Sequence, residues 1–233
     1  MVPAGHDGGM PTPQPMRITS ASGRVRVVGE SRPDVTVEGA PMVTHHSAQT
    51  VLGKSKKIEV RVPAGTDVVV GTLSGNVELR GELGNVRITT ASGDVTAEHV
   101  ASIDARTKSG RVEVQTSLGA VRVKTASSAI RVQTAAGEVR IASVSGKVEV
   151  KEARGSASVR TVSGNAELGL GPDAVALVET VSGKMRITVP SGEHPAARLT
   201  SISGKRQCDC DPGDDVEITA RSVSGDLLVT AQP

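Results

Sequence analysis

The chain of 233 residues contains no phenylalanine, tyrosine or tryptophan. Globular cores of ordinary thickness take much of their buried area from aromatic side chains, so that kind of core is excluded. Sites for single-stranded nucleic acid, and many sugar-binding sites, stack their ligands on aromatic rings, and such stacking is excluded as well. Because 37% of the residues are still hydrophobic, we expect a thin core of valine, isoleucine, leucine and alanine.

The sequence also lacks a strong excess of either charge. Its net charge is +2, from 27 basic and 25 acidic residues, which predicts a mixed surface and no nucleic-acid partner. No apolar run reaches the roughly 18 residues of a membrane helix, so we expect no membrane span. Residues 1–15 are rich in glycine and proline and predict a disordered tail rather than a secretion signal. The sequence as it stands predicts a cytoplasmic protein, with envelope association as the alternative.

Cysteine is scarce, and the two cysteines, Cys208 and Cys210, lie two residues apart. Two thiolates supply half of a zinc site, and His194 with no convincing fourth ligand does not complete it. We therefore expect a reduced pair and no metal. No nucleophile has an evident base partner, so the sequence predicts no enzymatic activity and no cofactor.

What the sequence has in abundance is one four-residue phrase: a hydroxyl residue, a variable residue, serine, and then glycine or once serine. Successive phrases are 17 to 21 residues apart, most often 18. A period this regular indicates one structural unit stacked on copies of itself. The nine phrases begin at Thr72, Thr90, Thr107, Thr125, Ser143, Thr161, Thr180, Ser201 and Ser222.

Each repeat also alternates apolar and polar residues after its glycine, as in Gly146-Lys147-Val148-Glu149-Val150. Alternation with period two predicts strands, and a weaker half-step of about nine residues predicts two strands per repeat. We therefore predict an all-β fold, a parallel β-solenoid with about 18 residues per coil, two main faces and roughly 8–10 rungs. A flat antiparallel meander would explain the half-step but not the stronger identity at 18 residues. Residues 16–71 are expected to form irregular N-terminal coils and a cap, and residues 72–233 the regular array.

The residues that lead into the repeat array resemble a known protein family. Residues 60–68 read Val-Arg-Val-Pro-Ala-Gly-Thr-Asp-Val, and Thr72-Leu73-Ser74-Gly75 and the repeated Ser-Gly-x-Val-x-Val units follow. Over roughly residues 16–230 the chain resembles the bacterial "putative adhesin" family of β-strand-repeat domains of unknown function. The resemblance implies a β-solenoid and no known catalytic residues.

Two rows of side chains are candidate sites, and the hydroxyl row is the first. In a stack, equivalent hydroxyls form one file, which we expect to point outward or into the corner, since the residue between the two hydroxyls is apolar in eight of the nine phrases. Hydrogen-bonded capping of the corner is the favoured interpretation. The alternative is a surface ladder that binds a repetitive surface such as ice or a crystalline polysaccharide, formed by Thr72, Thr90, Thr107, Thr125, Thr161 and Thr180.

The second row consists of Arg87, Arg122 and Arg140, which occupy equivalent half-step positions and could bind an anionic polymer. The other half-coils carry acidic residues, so a mixed surface that favours solubility is the competing interpretation. Those acidic residues are Glu78, Glu113, Glu149 and Glu167.

These observations predict a non-catalytic structural or interaction protein, a rigid rod that acts as a scaffold. Its partner is expected to be a second copy, associated end to end or side by side, or another protein. We expect the strand Leu227–Ala231, with little charge, to form an open end of the rod. The alternative function is an envelope or extracellular adhesin that binds a repetitive surface such as a glycan.

Overall fold

A computed structural model describes residues 15–45, 48–53 and 57–232. Apart from Pro15, the predicted tail lies outside these ranges. Within them the chain forms twenty β-strands, and no helix is long and apolar enough to cross a membrane. The strands are β1 (Met16–Glu30), β2 (Thr36–Glu38), β3 (Met42–His45), β4 (Ala48–Gly53), β5 (Lys57–Pro63), β6 (Val68–Ser92), β7 (Val95–Ser109), β8 (Val112–Ser117), β9 (Val121–Ser127), β10 (Ile130–Ala135), β11 (Val139–Ser145), β12 (Val148–Ala153), β13 (Ala157–Ser163), β14 (Ala166–Leu170), β15 (Val175–Ser182), β16 (Met185–Val189), β17 (Pro195–Ser201), β18 (Arg206–Asp209), β19 (Val216–Ser224) and β20 (Leu227–Ala231).

Strands one repeat apart pair in parallel and in register. Strand β9 pairs with β11, with Val121 opposite Val139, and β10 pairs with β12, with Ile130 opposite Val148. Each coil therefore has a first arm, which ends at the hydroxyl-x-Ser-Gly corner, and a second arm, which follows it. The predicted parallel β-solenoid with two main faces is confirmed, and its period is the 18 residues of the sequence repeat.

The coils do not stack in the order in which they occur along the chain. From one end of the rod to the other, the pairings of the described residues place eleven coils: residues 48–53 with 57–63, 16–30, 68–81, 85–99, 102–117, 121–135, 139–153, 157–170, 175–189, 216–231 and 195–209. The first coil of the chain and the last are therefore each enclosed between two others.

At the N-terminal end of the rod, β1 lies between the β4–β5 coil and β6 and pairs in parallel with both sides. The outer edge of the β4–β5 coil is covered, because β3 pairs antiparallel with β4 and β2 pairs antiparallel with β5. Strand β1 and the β4–β5 pair thus supply one coil each, and β2 and β3 cap the rod. A cap of this kind satisfies the backbone groups that an open edge would present to another chain.

At the other end, β19 pairs with β15 and β17, and β20 pairs with β16 and β18. The expectation that Leu227–Ala231 forms an open end of the rod is therefore wrong. That strand is internal to the stack, and its inward-facing Leu227 and Val229 are at most 1% exposed. The end of the rod is instead the coil formed by β17 and β18.

The core is a narrow file of valine, isoleucine, leucine and alanine between the two arms, such as Val123, Ile141 and Val159 on the first arms of consecutive coils. Glycine at the corner allows this close stacking. Gly146 has φ of 129°, and a Cβ there would overlap the carbonyl oxygen of Ser128 in the preceding coil. A side chain at this position would therefore force neighbouring coils apart.

Candidate functional site

The hydroxyl row lies inside the corner and not on the surface. The six threonines Thr72, Thr90, Thr107, Thr125, Thr161 and Thr180 are only 4–8% exposed. Where the hydroxyls find partners, these are local: Thr107 Oγ1 donates to the carbonyl oxygen of Ser109 at 2.7 Å, and Thr180 Oγ1 donates to that of Ser182 at 3.1 Å. Their observed contacts are those of corner caps.

The sequence contained a signal for this orientation. In a strand, residues two apart point to the same side, and Thr90 follows the buried Ile88, just as Thr161 follows the buried Val159. The threonines therefore continue the inward file of the first arm. Sequence reasoning gave weight to the apolar residue between the two hydroxyls and left both orientations open, outward or into the corner, with capping of the corner as the favoured interpretation.

That intervening residue is the one that points outward. We call the resulting row the corner ridge: in stacking order it consists of Leu73, Ala91, Lys108, Ala126, Val144, Val162, Val181, Val223 and Ile202. Its larger apolar members are 46–80% exposed, Ile202 most of all. Because five consecutive coils carry valine or isoleucine here, the ridge forms a continuous apolar line over the C-terminal part of the rod.

Cations border the ridge on its first-arm side. The residue just before each buried hydroxyl forms a file with the cations Arg106, Lys124, Arg160 and Arg221. The acid Glu179 lies in the same file, between Arg160 and Arg221. Arg160 Nε lies 2.8 Å from an oxygen of Glu179. Lys124 and Arg221 are exposed, and no carboxylate of the described residues lies within 4.0 Å of their side-chain nitrogens.

On the other side of the ridge, the residue after each corner glycine forms a second file that includes Lys147, Lys184 and Lys205. Lys147 Nζ is shared between Glu149 and Glu167, at 3.5 and 3.1 Å. Lys184 and Lys205 are exposed and lie in no ion pair within the described part of the chain. Asp226 adds one acid to this file, and its carboxylate accepts the backbone N–H of Lys205 at 3.0 Å.

The predicted arginine row lies on the outer face of the first arms. Arg122 and Arg140 are register neighbours, whereas Asp104 stands between Arg87 and Arg122. Arg87 Nε lies 3.8 Å from Asp104, and both Arg122 and Arg140 contact Glu138. The structure therefore brings the three arginines into one file and places an acid beside each of them.

On the outer face of the second arms, two arginines each lie between two glutamates. Arg26 lies between Glu59 and Glu78, at 3.9 and 3.0 Å, and Arg131 lies between Glu113 and Glu149, at 3.7 and 3.3 Å. Burial would raise the pKa of Glu149, but the hydrogen bond and charge of Arg131, together with Lys147, outweigh burial and lower that pKa. A hydrogen bond from Lys57, assisted by Arg61, likewise lowers the pKa of Glu59.

The two cysteines lie in and just after β18, with Cys208 inside the strand and Cys210 after it. Both are free thiols near the open end of the rod, Cys208 exposed and Cys210 partly buried. Burial raises the pKa of the Cys210 thiol, and the neighbouring Cys208 adds to the rise, so its thiolate is disfavoured at neutral pH. Across the described ranges, no three His, Cys, Asp or Glu side chains are grouped to hold a metal ion.

A shallow depression of about 730 Å³ lies on the second-arm face, where Gly169 provides no side chain. Its charged lining is mixed and includes Lys151, Glu152 and Arg186. No histidine or cysteine is among the described residues that line it.

The fold and these rows can now be compared with known proteins. The family model of Toastrack DUF4097 matches residues 18–230. The chain belongs to this family. The Toastrack match spans all eleven coils and agrees with the β-solenoid described above.

Two solved structures are similar to this Toastrack chain. One is a "putative adhesin" from Bacteroides fragilis, with 9% identity, coverage of 93% of this chain and 91% of that chain, and a TM-score of 0.37. The other is a "putative cell adhesion protein" from Clostridium sporogenes, with 7% identity, coverage of 94% and 93%, and a TM-score of 0.23. None of the curated proteins matches the chain.

Proposed function

We propose that this protein is a non-catalytic scaffold, a rigid β-solenoid rod that associates with a second copy through one end. The observation that carries the proposal is the difference between the two ends. The β4–β5 coil is covered by the antiparallel strands β2 and β3, whereas β17 and β18 pair on one side only within the described part of the chain. An uncovered pair of strand edges is a template for further pairing.

The charges of β18 fit a second copy of the same strand. All four residues of β18, from Arg206 to Asp209, are exposed. A two-fold axis between Gln207 and Cys208 would pair β18 antiparallel with its copy and place Arg206 opposite Asp209 of the second molecule. Opposite charges at facing positions stabilise an antiparallel pair by up to about 1 kcal/mol. The cap at the other end supports the same idea, because there the solenoid already accepts antiparallel strands on its edge.

Size-exclusion chromatography with light scattering across a wide concentration range tests this association. We expect the mass of the unmodified protein to rise towards that of a dimer. Arg206→Asp should weaken dimerisation by placing aspartates opposite each other, and the double variant Arg206→Asp with Asp209→Arg should restore it. A strict monomer at the highest concentration would contradict the proposal.

The alternative function, an adhesin that binds a glycan or another repetitive surface, depended mainly on an exposed ladder of threonine hydroxyls. Those six threonines are 4–8% exposed, so the hydroxyls are not available as such a surface. We therefore prefer the scaffold. A cytoplasmic location stays part of this proposal, and fractionation of cells that carry the native protein tests it.

A further inference from the structure

The C-terminal part of the corner ridge is an apolar line that the scaffold proposal does not use. Val144, Val162, Val181, Val223 and Ile202 lie on consecutive coils and are 46–80% exposed. With about 4.8 Å between coils, the line is roughly 20 Å long. Single exposed valines are ordinary, but a contiguous apolar row on the outside of a protein marks an interaction surface.

Exposed cations flank this line on both sides. Arg221 lies on the first-arm side, and Lys124 lies on the same side one coil before Val144. Lys184 and Lys205 lie on the second-arm side, and none of the four has a carboxylate of the described residues within 4.0 Å. This contrasts with the second-arm face, where Arg26 and Arg131 each lie between two glutamates. Beside this part of the ridge, Glu179 and Asp226 are the acids of the two files, and the cations outnumber them.

These two features together select the kind of partner. A second copy docked ridge to ridge would bring the free cations of both molecules close to one another, which is unfavourable. A soluble anionic polymer would satisfy the cations but would leave the valines in water. An anionic lipid surface satisfies both, because its phosphates accept the cations while apolar side chains enter the boundary between headgroups and acyl chains.

We propose that the corner ridge from Val144 to Ile202 is a peripheral binding site for membranes that contain anionic lipids. The ridge lies on the edge of the rod where the two arms meet, so a flat bilayer can reach it along its whole length. Valine is small, and the chain has no tryptophan or tyrosine to anchor it at the interface. Binding is therefore shallow, depends on several coils together and weakens as salt screens the cations.

Co-sedimentation of the full chain with vesicles tests the site. We expect binding to vesicles of phosphatidylcholine with phosphatidylglycerol, and much weaker binding to phosphatidylcholine alone. Val181→Asp should reduce the binding constant by roughly tenfold. Its matched control is Val175→Asp, since Val175 is 46% exposed, Val181 is 48% exposed, and Val175 lies outside the ridge; the control should bind normally.

The contribution of the cations is tested separately. The double variant Lys184→Gln with Lys205→Gln should reduce binding by roughly tenfold or more. Lys151→Gln, which changes an exposed lysine on the second-arm face, should leave binding unchanged. If the protein binds a soluble polyanion such as polyphosphate and Val181→Asp leaves all binding intact, the site is an anionic-polymer site and the lipid proposal is wrong.

A fluorescence measurement reports insertion directly and does not depend on a loss of binding. Because the chain has no aromatic residue, Val162→Trp introduces its sole tryptophan. Its emission should shift to the blue when anionic vesicles are added, whereas that of Val175→Trp should not shift. Equal emission from both variants with and without vesicles would overturn the proposal, and circular dichroism confirms that each variant is folded. Dimerisation through β18 is measured without lipid, so failure of one proposal is distinguishable from failure of the other.

Discussion

Arg131 Nη2 lies 3.3 Å from Glu149 Oε2, and the two residues are register neighbours on adjacent coils. The same guanidinium reaches Glu113 on the coil before, at 3.7 Å. The second-arm face is therefore held in part by ion pairs that run along the rod, perpendicular to the strands. Such pairs can stabilise the stacking of coils only while the glutamates are ionised.

The first prediction concerns the pH dependence of this ladder. The pKa of Glu149 is lower in the folded chain than its ordinary value, so its contribution is present at neutral pH. It is lost as the pH falls below about 4.3 and then through the lowered pKa of the folded state. Glu149→Gln should lower the free energy of unfolding by about 1 kcal/mol at pH 7 and by less at pH 3. Urea denaturation at both pH values measures this.

Glu217→Gln is the control for the ladder, because Glu217 is exposed and has no ion pair within the described ranges. It should change the free energy of unfolding little at either pH. If Glu149→Gln proves equally destabilising at pH 3 and pH 7, the effect does not arise from ionisation of the carboxylate.

The second prediction concerns the corner glycine. Gly146→Ala should destabilise the protein by about 1–3 kcal/mol, because alanine resists a φ of 129° and its Cβ would overlap Ser128. Gly71→Ala is the matched control, since no atom lies within 4 Å of a Cβ there and φ is not in the left-handed region. Thermal unfolding of both variants should show a clearly lower melting temperature for Gly146→Ala alone. Similar melting temperatures would contradict the explanation.

The third prediction separates two threonines that look alike in the sequence. Thr180 Oγ1 donates to the Ser182 carbonyl oxygen at 3.1 Å, whereas the buried Thr161 Oγ1 has no hydrogen-bond partner among the described residues. Thr180→Val should lower the free energy of unfolding by about 1 kcal/mol, and Thr161→Val should leave it unchanged or raise it. Chemical denaturation compares the two. Equal losses would mean that Thr161 gains a hydrogen bond not seen here.

The fourth prediction follows from the order of the coils. A variant that ends at Asp215 lacks β19 and β20, so β17 and β18 lose the strands with which they pair. In this variant, the amides of β17 should lose their protection from hydrogen exchange, whereas those of β11 and β12 should keep it. If β17 remained protected, it would have to pair directly with β15, in the order of the chain.

Much of the fold was predictable because one repeated phrase determines both the corner and the strand register. Val121, Val139 and Ala157 align through simple steps of 18 residues, and the structure pairs them in that way. The orientation of the corner was left open, because the apolar residue of the phrase was weighed as a possible inward residue. The alternation that leads from Ile88 to Thr90 is the better guide, since it continues the buried file to the end of the arm.

The exchanged coil order was not predictable from the repeat, because nearly the same phrase recurs in each coil and does not specify which coils are neighbours. The length of the connections between the coils permits this change of stacking order. Residues 190–194 and 210–215 lengthen the last two steps to 21 residues, and this added length lets the chain pass over one coil and return. The same argument applies at the other end, where residues 31–47 separate β1 from the coil that covers it.

The enclosed positions of the first and last coils have a mechanical consequence. A force that pulls on the two chain ends acts on β1 and β20, and each of these strands is hydrogen-bonded on both sides. Neither end can be peeled away as an outermost layer, because a neighbouring coil must be displaced at the same time. The rod is therefore expected to resist tension applied through β1 and β20, since pulling on either strand must break its pairing on both sides at once.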